Sequence, residues 1–387
     1  MTLLKMRLFD TPLFTKLRFS LSLTQPQTKR LAKRLAKRLT IVSAMVLAML
    51  LSTPASALVI LQYHHVDTST PAVTSISPEK FAAHLTLLEQ QNKVIIDLKT
   101  ALQKIDAGET LPLDAVAITF DDAWESIYVH ALPLLKQRNW PFTVFVNTQA
   151  VDERHTKVMS WEQLAELQQA GATIANHTVS HPYLLEKPQA LSWAEWLDQE
   201  VTQAEQRIEE KLGVSHKMLA YPYGEFNLAI ANWAKQQGYL AFGQQSGPVG
   251  FDSHHQALSR FPAAGIYANP ETLKTKLNTL AMPIKGDQLL DPVLTDENPP
   301  ALTLTIPSND MYRSQVQCYA SGEGAIPTEV EARKDALGDQ YLTVNTAATQ
   351  AITAGRGRYN CTAPSRRHKG WFYWYSQVWI NTRVSNR

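Results

Sequence analysis

The sequence predicts an α/β domain built on a parallel sheet, followed by a small all-β, sandwich-like domain. Short apolar runs alternate with helical patterns from Leu58 to about Leu280, and most of the runs are too apolar to have a wet face. Near Pro283 that alternation stops, and the chain beyond it carries strand-like patterning with no helix start after Ala336. Repeated β-then-α units imply a parallel sheet, closed or open, with helices outside. At 387 residues the chain is long enough for two cores.

Residues 1–57 read as a secretory signal peptide. Lys29 to Arg38 (KRLAKRLAKR) is a positive n-region, Ile41 to Leu51 an apolar h-region, and Pro54-Ala55-Ser56-Ala57 a small-residue cleavage signal cut after Ala57. KRLAKRLAKR read alone is also an amphipathic surface helix. A spanning helix needs about 20 apolar residues, so no permanent membrane span is expected. Export predicts a periplasmic or cell-envelope location in an oxidising compartment. The leader holds ten Lys/Arg against Asp10, leaving 27 basic and 34 acidic residues, net −7, on the rest. That balance argues against a nucleic-acid partner, which needs clustered cations on the folded part.

The strands expected in the first domain, 58–284, are Val59 to Tyr63, Val116 to Phe120, Phe142 to Val146, Ala172 to Ala175, Met218 to Tyr221 and Tyr239 to Phe242. Helix starts are marked by Ser77-Pro78 and by capping boxes at Ser160-x-x-Gln163 and Ser192-x-x-Glu195. Gly171, Gly213 and Gly238 stand where left-handed C-terminal residues are expected. Residues 285–300, with four acidic residues and three prolines, read as a linker.

In the second domain, 301–387, Leu302, Leu304 and Ile306, and Tyr341, Leu342 and Val344, mark strands. Cys318 and Cys361 are expected to form one disulfide, worth about 4 kcal/mol by chain entropy, with two free thiols as the alternative. Trp371 to Tyr375 is an aromatic strand with Trp371, Tyr373 and Tyr375 on one face and Phe372 and Trp374 on the other. One face is core; the other either stacks on sugar rings or packs internally.

Ionisable residues recur just after the apolar runs. His64-His65 follow the first, Asp121-Asp122 the second, His177 and His181 the fourth, and Tyr221-Pro222-Tyr223-Gly224 the fifth. On parallel strands all would emerge at one C-terminal rim, where such folds place active sites. His177-x-x-x-His181 with an Asp121-Asp122 carboxylate could hold Zn²⁺ or a similar divalent ion. The alternatives are histidines that satisfy local hydrogen bonds and an Asp pair that caps a helix.

These residues resemble the polysaccharide deacetylases of the NodB-homology type. Thr119-Phe120-Asp121-Asp122-Ala123 is similar to the T-F-D-D-[GA] motif, His177-Thr178-Val179-Ser180-His181 to H-[ST]-x-x-H, and Tyr221-Pro222-Tyr223-Gly224 to the tail of R-x-P-Y-G. Leu61-Gln62-Tyr63-His64-His65-Val66 resembles the Y-H-x-[IV] opening of an exported branch that includes biofilm poly-N-acetylglucosamine deacetylases. The likeness runs over roughly Leu58 to Ile284. It implies a distorted (β/α) barrel that hydrolyses the N-acetyl group of an amino sugar within an N-acetylated polysaccharide. Carried over, Asp122, His177 and His181 would hold the metal, most simply Zn²⁺ with Co²⁺ or Ni²⁺ as substitutes. Asp121 would be the general base, the Tyr223 backbone N–H an oxyanion donor and His64 the general acid.

Two departures stand out. The arginine of R-x-P-Y-G is replaced by Ala220, and Leu258-Ser259-Arg260 stands where the family has L-x-H. Arg260 is the candidate for the missing cation that orients Asp121, while His65, His254 and His255 are expected at the surface or behind the site. The departures also allow a catalytically impaired glycan-binding protein. Two histidines and a carboxylate would equally suit a non-haem iron oxygenase.

Overall fold

A computed structural model describes residues 57–286, 289–307, 310–335, 338 and 340–385. The expected leader lies outside the described residues except for Ala57, which is buried. Among the described residues no helix is long and apolar enough to cross a membrane.

The first half is built on one eight-stranded parallel sheet, with a short two-stranded pair beside it. Strand β1 (Val59–Tyr63) is followed by the short β2 (His65–Val66) and β3 (Ser75–Ile76), which pair only with each other. The sheet continues with β4 (Val94–Ile95), β5 (Ala115–Asp121), β6 (Phe142–Val146), β7 (Ala172–Asn176), β8 (Met218–Ala220), β9 (Leu240–Phe242) and β10 (Phe261–Pro262). Their spatial order is β10-β1-β5-β6-β7-β8-β9, with β4 along the start of β5. Leu258 bonds to β9 through Ala241 O, and Phe261 pairs with Leu61 of β1. The strip 258–262 therefore joins the two edges and curls the sheet back on itself, as a distorted (β/α) barrel requires.

Alternation along the strands separates two faces. Val116, Ile118 and Phe120 pack with Phe81, Leu85 and Leu88 of the helix Pro78–Gln90, whereas Ile60, Ala117, Phe145, Ala220 and Phe242 meet on the opposite face. Period two places Gln62 and His64 with Ile60, and Thr119 and Asp121 with Ala117. The helices begin where their caps predict: Ser77 accepts from Lys80 N–H, and both capping boxes form. Gly213 closes its helix at φ +70°.

The second half is a β sandwich. Strands β11 (Thr279–Ala281), β12 (Ala301–Pro307), β13 (Gln317–Ala320), β14 (Gly324–Ile326), β15 (Thr328–Lys334), β16 (Gln340–Ala347), β17 (Arg356–Pro364) and β18 (Phe372–Ile380) form two sheets, β11-β18-β17-β13-β14 and β12-β16-β15. Leu302, Leu304, Ile306, Leu342, Val344, Tyr359 and Trp379 fill the space between them. Tyr341 does not join Leu342 there: it lies on the opposite side of β16, under the Lys285 ammonium at 5.5 Å, because adjacent strand residues point apart. Cys318 and Cys361 face each other across β13 and β17 and form the disulfide.

Both faces of the aromatic strand β18 are occupied. Tyr373 and Trp379 enter the sandwich core, while Trp374 meets Phe261 edge-on at 5.4 Å and Val378 packs against the cluster around Phe226 and Tyr239. Strand β11 pairs in parallel with β18, so the last strand before the expected linker belongs to the second sheet.

Candidate active site

Asp121 ends β5 and Asp122 opens the turn after it, in different environments. Asp121 is fully buried and accepts a forked pair of bonds from Arg260, Nη1 to Oδ1 at 2.7 Å and Nη2 to Oδ2 at 2.9 Å. Gln62 Nε2 donates to the same Oδ2 at 2.7 Å, and His64 Nε2 lies 3.8 Å from it. Burial would raise this carboxyl, but Arg260, with His177 and His64, holds it down at about 2. The buried Arg260 Nε donates to Gly243 O at 3.1 Å, so the fork is aimed from behind. The guanidinium missing at Ala220 is thus present near Asp121 from a position 40 residues later in the chain.

Asp122 turns the other way. Its Oδ2 accepts from Trp124 Nε1 at 3.1 Å, while its buried Oδ1 has no hydrogen-bond partner. Facing that oxygen are His177 Nε2 at 3.3 Å and His181 Nε2 at 3.4 Å. One ligand atom from each of Asp122, His177 and His181 lies within 4.8 Å of the others. A buried orphaned carboxylate oxygen between two imidazole nitrogens is an unmet demand for positive charge. The His177 Nδ1 sits 2.7 Å from Ala220 O. A carbonyl can only accept, so Nδ1 carries a proton; burial disfavours a second one but Asp122 and Asp121 raise the ring's pKa, and a cation at Nε2 would take the place of that second proton. Burial, with His177 beside it, lowers His181 to about 4 and keeps it neutral. The residues therefore fit a divalent cation with two nitrogen donors and one oxygen donor.

The histidines sit on an irregular loop, as Pro182 suggests, and not on a helix. Glu200, in a π-helical turn at Asp198–Thr202, accepts from Ser180 N–H at 3.0 Å and Ser180 Oγ at 2.9 Å, and its carbonyl accepts from Val179 N–H at 2.8 Å. Asn176 Oδ1 accepts from Thr178 N–H at 2.8 Å. Asp122, Ala123, Thr178, His181 and Tyr223 all adopt positive φ, between +54° and +73°, a region that favours glycine. Such strain persists only where surrounding contacts over-determine it, and here it is concentrated in the three motif segments. Asp122 consequently caps no helix.

Tyr223 lies in a 3₁₀ turn, Pro222–Gly224, after β8. Its ring meets His181 edge-on at 4.7 Å and stacks on Tyr183 at 4.1 Å. The turn's own bonds run from Gly224 N–H to Tyr221 O and from Glu225 N–H to Pro222 O, and neither uses the Tyr223 N–H. His65 is not at the surface: it is buried and stacks on Trp124 at 4.2 Å, because that indole spans Asp122 and the first strand's end. His255 pairs with Asp106 at 3.0 Å, away from this rim. Gln62, Trp124 and Glu200 were not singled out by motif; for Gln62 a signal existed, the inward parity it shares with His64.

Residues 108–242 match the family model described as polysaccharide deacetylase. The chain is 25% identical over 206 residues to YxkH of Bacillus subtilis (strain 168), whose name places it among the polysaccharide deacetylases, over 52% of this chain and 70% of that protein. It is 27% identical over 160 residues to the poly-beta-1,6-N-acetyl-D-glucosamine N-deacetylase of Staphylococcus aureus (strain MSSA476), covering 40% of this chain and just over half, 55%, of that one. The structure of IcaB from Ammonifex degensii superposes with a TM-score of 0.51 and 26% identity over 57% of this chain and 97% of that chain. Asp121, Asp122, His177, His181 and Tyr223 fall inside the family match, whereas His64 and Arg260 lie outside it. Sequence likeness across the central strands and a shared barrel thus agree with the geometry at the rim, and over residues 108–242 the chain carries a polysaccharide deacetylase domain.

Proposed function

We propose that this protein is a metal-dependent hydrolase that removes N-acetyl groups from an N-acetylated amino-sugar polysaccharide and releases acetate. The observation that carries the reading is the orphaned Asp122 oxygen between His177 and His181, beside a second carboxylate that Arg260 withholds from that cluster. Asp122, His177 and His181 would hold the ion, Zn²⁺ by donor type with Co²⁺ or Ni²⁺ as substitutes. A bound ion of this kind would polarise the amide carbonyl and acidify its water.

The chain's own residues do the rest. Asp121 takes a proton from the attacking water, and because Arg260 keeps that carboxylate a weak base, the proton is passed on and not retained. The Tyr223 N–H donates to the oxyanion as the carbonyl becomes tetrahedral. His64 protonates the nitrogen as the C–N bond breaks, since an amide anion is too poor a leaving group. Water and amide are thereby consumed, and acetate and a free amine formed.

Export to the cell envelope belongs to the same proposal, supported by the leader pattern and by a disulfide that persists in oxidising compartments. The test is an acetate-release screen over acetylated glycans, with chelator and metal add-back. It begins with poly-β-1,6-N-acetylglucosamine, named for the Staphylococcus aureus relative. Asp121→Asn should keep metal and lose activity, and His177→Ala should lose both. Glycan retention without acetate release under every metal would overturn the enzyme reading in favour of a binding protein.

A further inference from the structure

The β sandwich reaches the Tyr223 turn at the rim of the barrel through Arg356. Arg356 is the first residue of β17, and its Nη1 donates to Tyr223 O at 2.8 Å. Its guanidinium lies 5.5 Å from the centre of the Tyr223 ring, and its Nε is 3.9 Å from Oε1 of Glu225, a side chain with no exposure. One cation thus bridges the carbonyl, the ring and a buried carboxylate two residues on. The strand that presents it is held in place: β17 pairs with β18 over nine residues and is disulfide-linked to β13. A second strut, Arg358 Nη1 to Ser246 Oγ at 3.2 Å, ties the same strand to the loop after β9.

Tyr223 adopts φ +59°, a conformation that needs outside support. On its N-terminal side the turn supplies that support, since Glu225 N–H holds the Pro222 carbonyl. On its C-terminal side Gly224, at φ +72°, is backed by Gln244, and the carbonyl between them is held by Arg356. The Tyr223 N–H belongs to the Pro222–Tyr223 peptide, whose carbonyl Glu225 N–H holds, and Arg356 holds the carbonyl of the next peptide across the strained Tyr223 Cα, so Arg356 acts on that N–H by keeping the turn as a whole in place. Removing Arg356 frees one end of the turn, and charge-assisted bonds are the stronger kind to lose.

We infer that Arg356 is a positioning residue: it makes the β sandwich a working part of the active site by holding the Tyr223 turn in the orientation that aims its N–H at the reacting carbonyl. This rests on the deacetylase reading. Loss of a single oxyanion donor costs about 10²–10³ in turnover, so a donor misdirected and not deleted should cost roughly 10–100-fold.

The experiment uses the full chain with Arg356→Ala and Arg356→Lys. Acetate release from a β-1,6-linked N-acetylglucosamine oligomer is followed with and without added guanidinium ion, and amide hydrogen exchange is measured over Tyr221–Phe226. Arg356→Ala should lower kcat roughly 10–100-fold with KM within about twofold, regain part of it with guanidinium, and exchange faster at Tyr221–Phe226 alone. Arg356→Lys, which keeps the charge but not the fork, should fall between. Turnover within about twofold of wild type overturns the inference, as does a loss that guanidinium does not relieve and that accompanies faster exchange across the whole barrel. If wild type releases no acetate, the deacetylase reading fails instead, and exchange over Tyr221–Phe226 alone decides whether Arg356 holds the turn.

Discussion

Replacing Arg260 by Met separates the two functions of its pair with Asp121. Both side chains have no exposure, so the change leaves a buried carboxylate whose remaining donor is Gln62. Breaking a buried pair from one side costs about 3–5 kcal/mol, because the other charge is left uncompensated. For a domain of this size that corresponds to a fall in Tm of roughly 10 °C. Calorimetry of Arg260→Met, Asp121→Asn and the double variant at pH 7 measures it. The double variant should recover most of the loss, since the stranded charge is gone, though Gly243 O still lacks its donor. Both Arg260→Met variants should release no acetate. A single variant within about 1 kcal/mol of wild type, or a double variant no better than the single, would refute the claim that this is a desolvated charge pair.

Three further outcomes follow from the same geometry. His64→Ala should reduce turnover about 100-fold with metal content unchanged, checked by kcat and bound metal; an unaltered rate removes His64 as the acid. Replacing Cys318 and Cys361 together by Ala should lower unfolding free energy by about 4 kcal/mol for a 43-residue separation, read from denaturant midpoints. His84 is buried between Tyr63 OH and Ala268 O, both at 3.0 Å, and burial lowers it to about 4. Its folded value lies below its unfolded one, so its contribution is complete above pH 6.5 and is lost as pH falls towards 4, about 2 kcal/mol of it by pH 5. The drop between pH 7 and 5 should shrink by that amount in His84→Gln.

What could be read from the chain was local. The strands showed because burial on both faces leaves few polar residues, and the helices because Ser160 and Ser192 cap their own N-termini. The rim residues showed because each follows its strand directly. Arg260 was legible as the candidate cation for Asp121, but its forked geometry depends on the strip 258–262 crossing to β1. Glu200 and Arg356 act across the fold on carbonyls and amides that carry no side-chain signature. Tyr341, Leu342 and Val344 marked β16, although which of them faces the core follows only from the strand's alternation.

The pairing of β11 with β18 limits how the molecule can be divided. Leu280 and Met282 follow the last barrel helix, yet they are buried among sandwich residues, and Met282 N–H bonds to Trp374 O. A fragment ending at residue 300 would keep this short strand while discarding its neighbour, baring apolar side chains and an open edge of the kind that recruits other chains. Any truncation intended to isolate the half that carries Asp122, His177 and His181 has to stop before Thr279, and the complementary piece has to start there.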